Sequence, residues 1–260
     1  MPVTLITGAA SGLGWALAQA CHARGDDLLL TDLNHDLLEQ RRLSLASPRV
    51  TTLAGDICDS SVQTELINTC LSQFGRLDTL INNAGITHRS LAQRTQAKVL
   101  RKVMAVNYHA PLELTLLALP LLKASRGSVI AIGSMASWMP VLGRAGYCAA
   151  KSALAQAFEV LRGEVRRDGV RVLLVYPSFL ATPIEHNALG GDGQPAQQAR
   201  SLVGKVNSAE WMATGILKAQ QQGRERLFPD RKTWLASLLW RLAPSFFHRQ
   251  MCRQFAAELS

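Results

Sequence analysis

The chain has 260 residues, 48% hydrophobic and 18% charged, which suits one α/β domain with a sizeable core and excludes a disordered or low-complexity chain. Its formal charge of +9 is dispersed, and no zinc-finger spacing or basic and aromatic ribonucleoprotein signature is present, so no nucleic-acid partner is expected. Cys21, Cys58, Cys70, Cys148 and Cys252 are odd in number and form no Cys-x-x-Cys pair, which points away from disulfides and metal sites and toward a reducing, cytoplasmic setting.

No basic leader precedes the first apolar run, so secretion is not expected. Residues 3–7 read as the first strand and pass into Thr7-Gly8-Ala9-Ala10-Ser11-Gly12-Leu13-Gly14, followed by a helical run at 15–24. Glycines permit positive φ and close approach of a pyrophosphate, while the helix N-terminus offers unpaired N–H groups and a favourable dipole. The strand-to-helix context turns a weak glycine pattern into a dinucleotide site, with Thr7, Gly8, Ser11, Gly12, Leu13 and Gly14 as its expected residues.

A second strand, 27–31, leads to Asp32, whose carboxylate can accept from both hydroxyls of an adenosine ribose and repel a 2′-phosphate. NAD is favoured over NADP, because no Arg or Lys lies between Gly8 and Gly14 and Leu33 follows Asp32. The competing view makes Asp32 a turn or cap residue, and Arg41 and Arg42 keep NADP in play from further along the next helix. After a third strand at 49–54, Asp56 and Ile57 are expected near the adenine, with turn chemistry as the alternative for Asp56.

Further strands are expected at 79–82, 127–133 and 170–176, separated by segments long enough for crossover helices. Several are nearly continuous in apolar residues, as befits parallel strands covered on both faces. The polar stretch 185–201, rich in glycine and without an apolar period, reads as a mobile loop or lid.

Tyr147 and Lys151 are four residues apart, so on a helix they share one face and can point into one cleft. A phenol of pKa about 10 is a poor base, but a fixed positive charge within about 4 to 6 Å lowers that value and makes Tyr147 a usable general acid/base. Ser134 lies thirteen residues upstream of Tyr147. Cys148, beside the tyrosine, is read as a small buried residue rather than a reactive thiol.

Together, Thr7-Gly-x-x-x-Gly12-x-Gly14, Asn82-Asn83-Ala84-Gly85, Asn107, Ser134 and Tyr147-Cys-Ala-Ala-Lys151 resemble the short-chain dehydrogenase/reductase family over about residues 3 to 183. The resemblance implies a three-layer, doubly wound, Rossmann-type parallel sheet, NAD or NADP bound in extended form, and alcohol–carbonyl interconversion. It makes Tyr147 the acid/base at the substrate oxygen, Lys151 the holder of the nicotinamide ribose and Ser134 a hydrogen-bond donor to that oxygen. Asn107 would hold a water in a relay from Lys151 to solvent. Asn83, Ala84 and Gly85 would pass beside the adenosine, and Thr182 would meet the carboxamide. Pro177 would also face the cofactor, although Pro177-Ser178 replaces the family's usual Pro-Gly. A homo-oligomer is implied as well, dimer or tetramer, in which Ala149, Ala150, Ala153, Ala155 and Ala157 would let the Tyr147 helix approach its symmetry mate.

The loops after Ser134 and Pro177 offer Trp138, Met139, Val141, Leu142, Phe179, Leu180 and Ile184, a lining that favours a hydrophobic alcohol or ketone; no fixed cation is evident there. One domain spanning 1–260 is expected, with 224–260 a C-terminal amphipathic helical extension. Trp234, Leu235, Leu238, Leu239 and Leu242 form an apolar stripe flanked by Lys232 and Arg241, too short and charged to span a bilayer. It suits either packing over the pocket or a partner subunit, or a peripheral membrane contact through 232–256. A dinucleotide sensor without turnover and a membrane-surface scaffold are the other function classes the sequence permits.

Overall fold

Strand positions in this chain are apolar on both faces because helices cover both sides of the sheet. The computed structural model describes residues 1–185, 187–197 and 206–254. Among these, seven parallel strands form one sheet: β1 (Val3–Thr7), β2 (Asp27–Asp32), β3 (Val50–Ala54), β4 (Thr79–Asn82), β5 (Ser128–Ile132), β6 (Arg171–Val175) and β7 (Arg226–Leu227). Their order is β3-β2-β1-β4-β5-β6-β7, with registers such as Val3 beside Asp27 and Thr4 beside Thr79. The chain leaves β1 in one direction and returns at β4 to build in the other, so a crevice opens at the carboxyl ends of β1 and β4.

Helices α1 (Gly12–Arg24), α2 (His35–Leu45) and α7 (Ala209–Gln221) cover one face, burying Leu17, Leu38 and Ile216 against Ile6, Leu28 and Leu30. On the other face α3 (Ser60–Thr69), α5 (Ala110–Ser125) and α6 (Ala145–Val165) bring Leu66, Leu114 and Phe158 against Leu5 and Leu29. The alternation of Leu28, Leu29 and Leu30 between two cores is the period-two geometry of a strand. Helix α4 (Ala97–Met104) runs into α5 through a π-helical turn, Ala105–His109.

Beyond β7, whose two residues carry no readable alternation, lie α8 (Arg231–Leu242) and α9 (Pro244–Gln254). Asp230 starts α8 by accepting from the Thr233 N–H at 2.7 Å. The face that α8 buries is not the apolar stripe expected from sequence. Thr233 and Ser237 are buried, whereas Trp234, Leu235, Leu239 and Leu242 are exposed and Leu238 is half-buried. Among the described residues, no helix is long and apolar enough to cross a membrane.

The segment expected to be a lid is only partly described, since residues 186 and 198–201 lie outside the described set. Its described part is tied down rather than free. The Arg89 N–H donates to the Leu189 carbonyl at 2.7 Å, Leu189 donates back to Thr87 at 2.9 Å, and Gln96 donates to Gly191 at 2.8 Å. A polar composition hid these main-chain bonds, which need no side-chain pattern.

Candidate active site

A cavity of about 690 Å³ occupies the crevice and runs from the glycine turn after β1 to the inner side of α8 and α9. At the end beside β1, Gly8 (φ 65°) and Gly12 (φ 53°) adopt the left-handed conformation that the turn requires. A Cβ on Gly14 would stand 2.0 Å from the Gly8 carbonyl oxygen, so α1 can approach β1 this closely only through glycine. Gly8, Ser11, Gly12 and Leu13 line the cavity, whereas Gly14 lies beneath the turn.

Thr7 is buried and does not reach the cavity. Its hydroxyl oxygen accepts from the Asn83 and Ala84 N–H groups, both at 3.0 Å, while Asn83 Nδ2 donates to the Thr7 and Gly8 carbonyls. These bonds fasten the end of β1 to the end of β4 and set Asn83, Ala84 and Gly85 along the cavity wall. Thr7 thus shapes the floor beneath this wall.

Asp32 lines the cavity, accepting from the Ala10 N–H through Oδ2 and from the Asn34 N–H through Oδ1, both at 3.0 Å. Each oxygen keeps further acceptor capacity. Asp56 and Ile57 line the adjoining wall, and Asp56 Oδ1 also accepts from the Cys58 N–H at 2.9 Å, so turn chemistry and cavity lining coincide in one residue. Arg42 pairs with Glu39. Arg41 folds back from α2, donating from Nε to the Ala10 carbonyl at 3.0 Å with its guanidinium 4.9 Å from the centre of the Trp15 ring. Sequence distance concealed this return.

Beside β5, Ser134 ends the loop after the strand and accepts from the Ala136 N–H at 3.1 Å, which leaves its hydroxyl hydrogen available to an acceptor in the cavity. Tyr147 and Lys151 sit one turn apart on α6, both lining the cavity, with the ammonium 6.0 Å from the centre of the tyrosine ring. Lys151 is 3% exposed and donates to the Ile132 carbonyl at 2.7 Å; burial lowers its pKa from 10.5 to about 8.

Asn107 is fully buried in the π-helical turn, a wide turn of a kind often found at functional sites. Its side chain clamps one peptide unit, Oδ1 accepting from the Ile86 N–H at 3.1 Å and Nδ2 donating to the Ile86 carbonyl at 2.8 Å. A Cβ on Gly85 would come within 2.8 Å of Asn107 Oδ1 and 3.6 Å of Lys151 Nζ, so a bare backbone at 85 is what lets these groups converge.

His88 escaped the sequence reading, having no motif around it. It is fully buried, accepts through Nε2 from the Gly146 N–H at 2.9 Å and holds the first turn of α6, one residue before Tyr147. Burial, and then the nearby Arg144 charge, push its pKa down to about 4, so the ring is neutral and Nδ1 carries the proton toward Ser90 Oγ at 3.3 Å. Arg144, also unforeseen, is buried in the cavity wall and donates to Thr87 Oγ1 at 3.1 Å. A fixed cation does therefore border the pocket.

Pro177 and Thr182 line the cavity, with Thr182 filling the space that Gly12 leaves open. Ser178, also in the lining, has a buried hydroxyl without a hydrogen-bond partner among the described residues. Of the expected substrate contacts, Met139, Val141, Phe179, Leu180 and Ile184 line the wall; Trp138 and Leu142 instead back the cluster Met139, Phe247 and Met251. Phe247 and Met251 come from α9, so the tail closes the apolar end.

A glycine turn for a dinucleotide and a serine, tyrosine and lysine on the walls of one cavity define an oxidoreductase class. The chain matches the short chain dehydrogenase family model over residues 2–191 and belongs to that family, whose members act on CH–OH groups. It is 32% identical over 266 residues to dehydrogenase/reductase SDR family member 7B of Bos taurus, covering 98% of this chain and 82% of that protein. It is 31% identical over 252 residues to 11-beta-hydroxysteroid dehydrogenase A of Sesamum indicum, covering 92% of this chain and 71% of that protein. Among solved structures, a short-chain dehydrogenase from Streptomyces avermitilis superposes with a TM-score of 0.83 at 26% identity, covering 100% and 98% of the two chains. A Burkholderia phymatum short chain dehydrogenase/reductase in complex with NAD shares the fold, with a TM-score of 0.83 at 22% identity over 94% of each chain.

Proposed function

We propose that the protein interconverts a hydrophobic secondary alcohol and its ketone with NAD(H), using Tyr147 as general acid/base. The observation that carries this reading is the presence of Ser134, Tyr147 and Lys151 on the wall of one cavity that is also lined by Asp32 and by apolar residues such as Met139 and Phe247. A nicotinamide dinucleotide fits these residues: Gly8 and Gly12 form a cradle, Asp32 retains acceptor capacity for ribose hydroxyls, and the Ser178 hydroxyl awaits a partner. Gly8, Ser11, Gly12 and Leu13 would hold its phosphates, Asp32 its adenosine ribose, Asp56 and Ile57 its adenine side, and Asn83, Ala84, Gly85, Lys151, Pro177 and Thr182 the remainder. When bound, the cofactor supplies hydride transfer.

The chain's own residues move the proton. Tyr147 withdraws it from the alcohol oxygen in oxidation and returns it in reduction. The free hydroxyl hydrogen of Ser134 stabilises charge on that oxygen. Lys151, charged below its pKa of about 8, favours phenolate at Tyr147 and would anchor the nicotinamide ribose. Because the Asn107 side chain is engaged by Ile86, a relay water there would be met by main-chain groups of the wide turn.

Asp32 supports NAD over NADP, and Arg41 against Ala10 is the residue that tempers this preference. The apolar wall supports a steroid, retinoid or lipid-derived alcohol, and the steroid activity named for the Sesamum relative is of this class. Homo-oligomer formation fits the outward faces of α5 and α6, where Leu116 and Leu117 of α5 and Ala149 and Val160 of α6 are exposed. Ala150 and Ala155, expected at that interface, are buried within the protomer instead. Unpaired cysteines suit a cytoplasmic protein, and the exposed side of α8 and α9 suits a peripheral membrane contact; residues 255 and 256 of the stretch assigned to it lie outside the described set. Residues 224–260 are then an extension of a single catalytic domain.

The test is NADH formation from a panel of short-chain, long-chain, steroid and retinoid alcohols. Turnover with at least one hydrophobic alcohol is expected, falling about 10² to 10⁴-fold in Tyr147→Phe. Undiminished turnover in that variant would sink the assignment.

A further inference from the structure

We infer that the outer side of the α8–α9 hairpin docks on an anionic lipid surface and sets the mouth of the substrate cavity against it, so that substrate enters from the bilayer. The entry route rests on the function proposed above; the docking does not. Trp234, Leu235, Leu239, Leu242 and Phe246 are all exposed, Leu235 by 55% and Leu242 by 83%, on two successive helices. The same helices turn Ala236, Phe247 and Met251 inward to the cavity, and Leu239 belongs to both surfaces, being exposed and lining the cavity. Apolar exterior and apolar interior are therefore continuous at one rim.

Charge selects the occupant. Residues 231–254 contain Arg231, Lys232, Arg241, Arg249 and Arg253, all exposed, and no Asp or Glu. A second copy seated on this face by a two-fold axis would bring five cations against five, and no acid within the stretch offsets them. A lipid surface offers anionic head groups to the cations and acyl chains to the tryptophan, leucines and phenylalanine. Helix α8 has 12 residues, about 18 Å at 1.5 Å per residue, which suits lying in the interface and not crossing it.

The test is co-sedimentation of the full chain with phosphatidylcholine vesicles, with and without phosphatidylserine, at low and high salt. Attachment to the phosphatidylserine vesicles that weakens in salt is expected, with far less on phosphatidylcholine alone. Each cation near an anionic leaflet strengthens attachment by roughly fivefold, so Lys232→Glu with Arg249→Glu is expected to weaken it by about 25-fold or more. Leu235→Ser with Leu242→Ser, at exposed positions outside the cavity lining, is expected to abolish attachment while leaving turnover of a water-soluble alcohol unchanged and slowing turnover of a vesicle-borne one. Equal sedimentation of wild type and both variants, or none by wild type, overturns the docking. A wild-type dimer that both variants dissolve, without vesicle binding, overturns it in favour of a second copy. Vesicle binding without turnover of any alcohol leaves the docking standing and refutes the proposed function. Equal loss of soluble and vesicle-borne turnover in the serine variant refutes the entry route alone.

Discussion

Replacing Lys151 by methionine is expected to stabilise the fold while removing activity. The ammonium is buried against the Ile132 carbonyl, and moving its pKa from 10.5 to about 8 at 1.36 kcal/mol per pH unit corresponds to about 3 kcal/mol of destabilisation at neutral pH. Methionine removes that burden, but the Ile132 carbonyl loses its donor at a cost of about 1 to 2 kcal/mol. The net expectation is a gain of about 1 to 2 kcal/mol, a rise of roughly 2 to 8 °C in Tm for a chain of this size. Below pH 8, folded and unfolded chains both carry the proton and the whole penalty is present. Between about 8 and 10.5 the unfolded chain binds more protons, so wild-type stability rises with pH and the advantage of Lys151→Met shrinks. Urea unfolding of both proteins at pH 7 and pH 10, with circular dichroism as readout, measures the difference. A methionine variant less stable than wild type at pH 7, or a gap that does not change with pH, would refute the reasoning.

Gly85→Ala is expected to fold but to lose about 10²-fold in kcat, because the added methyl displaces Asn107 and crowds Lys151; steady-state kinetics alongside a separate NAD affinity measurement checks this. His88 binds its proton only near pH 4 in the folded state, so the chain is expected to lose up to about 3 kcal/mol of stability as pH falls from 6.5 to 4. His88→Asn removes that acid dependence, and unfolding at pH 7 and pH 5 compares the two. Asp32→Asn is expected to tighten NADP at least tenfold by ending charge repulsion at the 2′-phosphate, and Arg41→Ala to reverse the gain; titration calorimetry with NAD, NADP and 2′,5′-ADP reads both. Phe247→Ala is expected to enlarge the apolar end of the cavity and raise KM for hydrophobic alcohols while leaving NAD affinity unchanged, as substrate-series kinetics would show.

Local chemistry explains which parts of the molecule could be read from the chain. Six of the strands announce themselves through apolar runs, and the glycine turn and the Tyr147–Lys151 pair are defined by short spacings that fix geometry almost alone. The missed features depend on the third dimension. Arg41 reaches Ala10 across 31 positions, His88 reaches Gly146 across 58, and neither lies in a pattern that foretells its partner. What the tail's stripe meets stayed open in the sequence for another reason. Its apolar period is genuine, but periodicity tells which residues share a face and not what that face meets; α8 turns Thr233 and Ser237 inward and Trp234, Leu235, Leu239 and Leu242 outward.

The placement of β1 also governs when the protein can become itself. Its first partner, β2, begins 24 residues further on, so one side of β1 can close early in synthesis. Its other side waits for Thr79, 75 residues along. Until then Leu5 and Ile6 lie on an open edge able to recruit a foreign strand. Loop-closure entropy grows slowly with length, so the delay weighs little on final stability, but long-range pairing is slow to form. Closing the seam between β1 and β4, the most distant pairing among the described strands, is thus the step that leaves an apolar edge open longest.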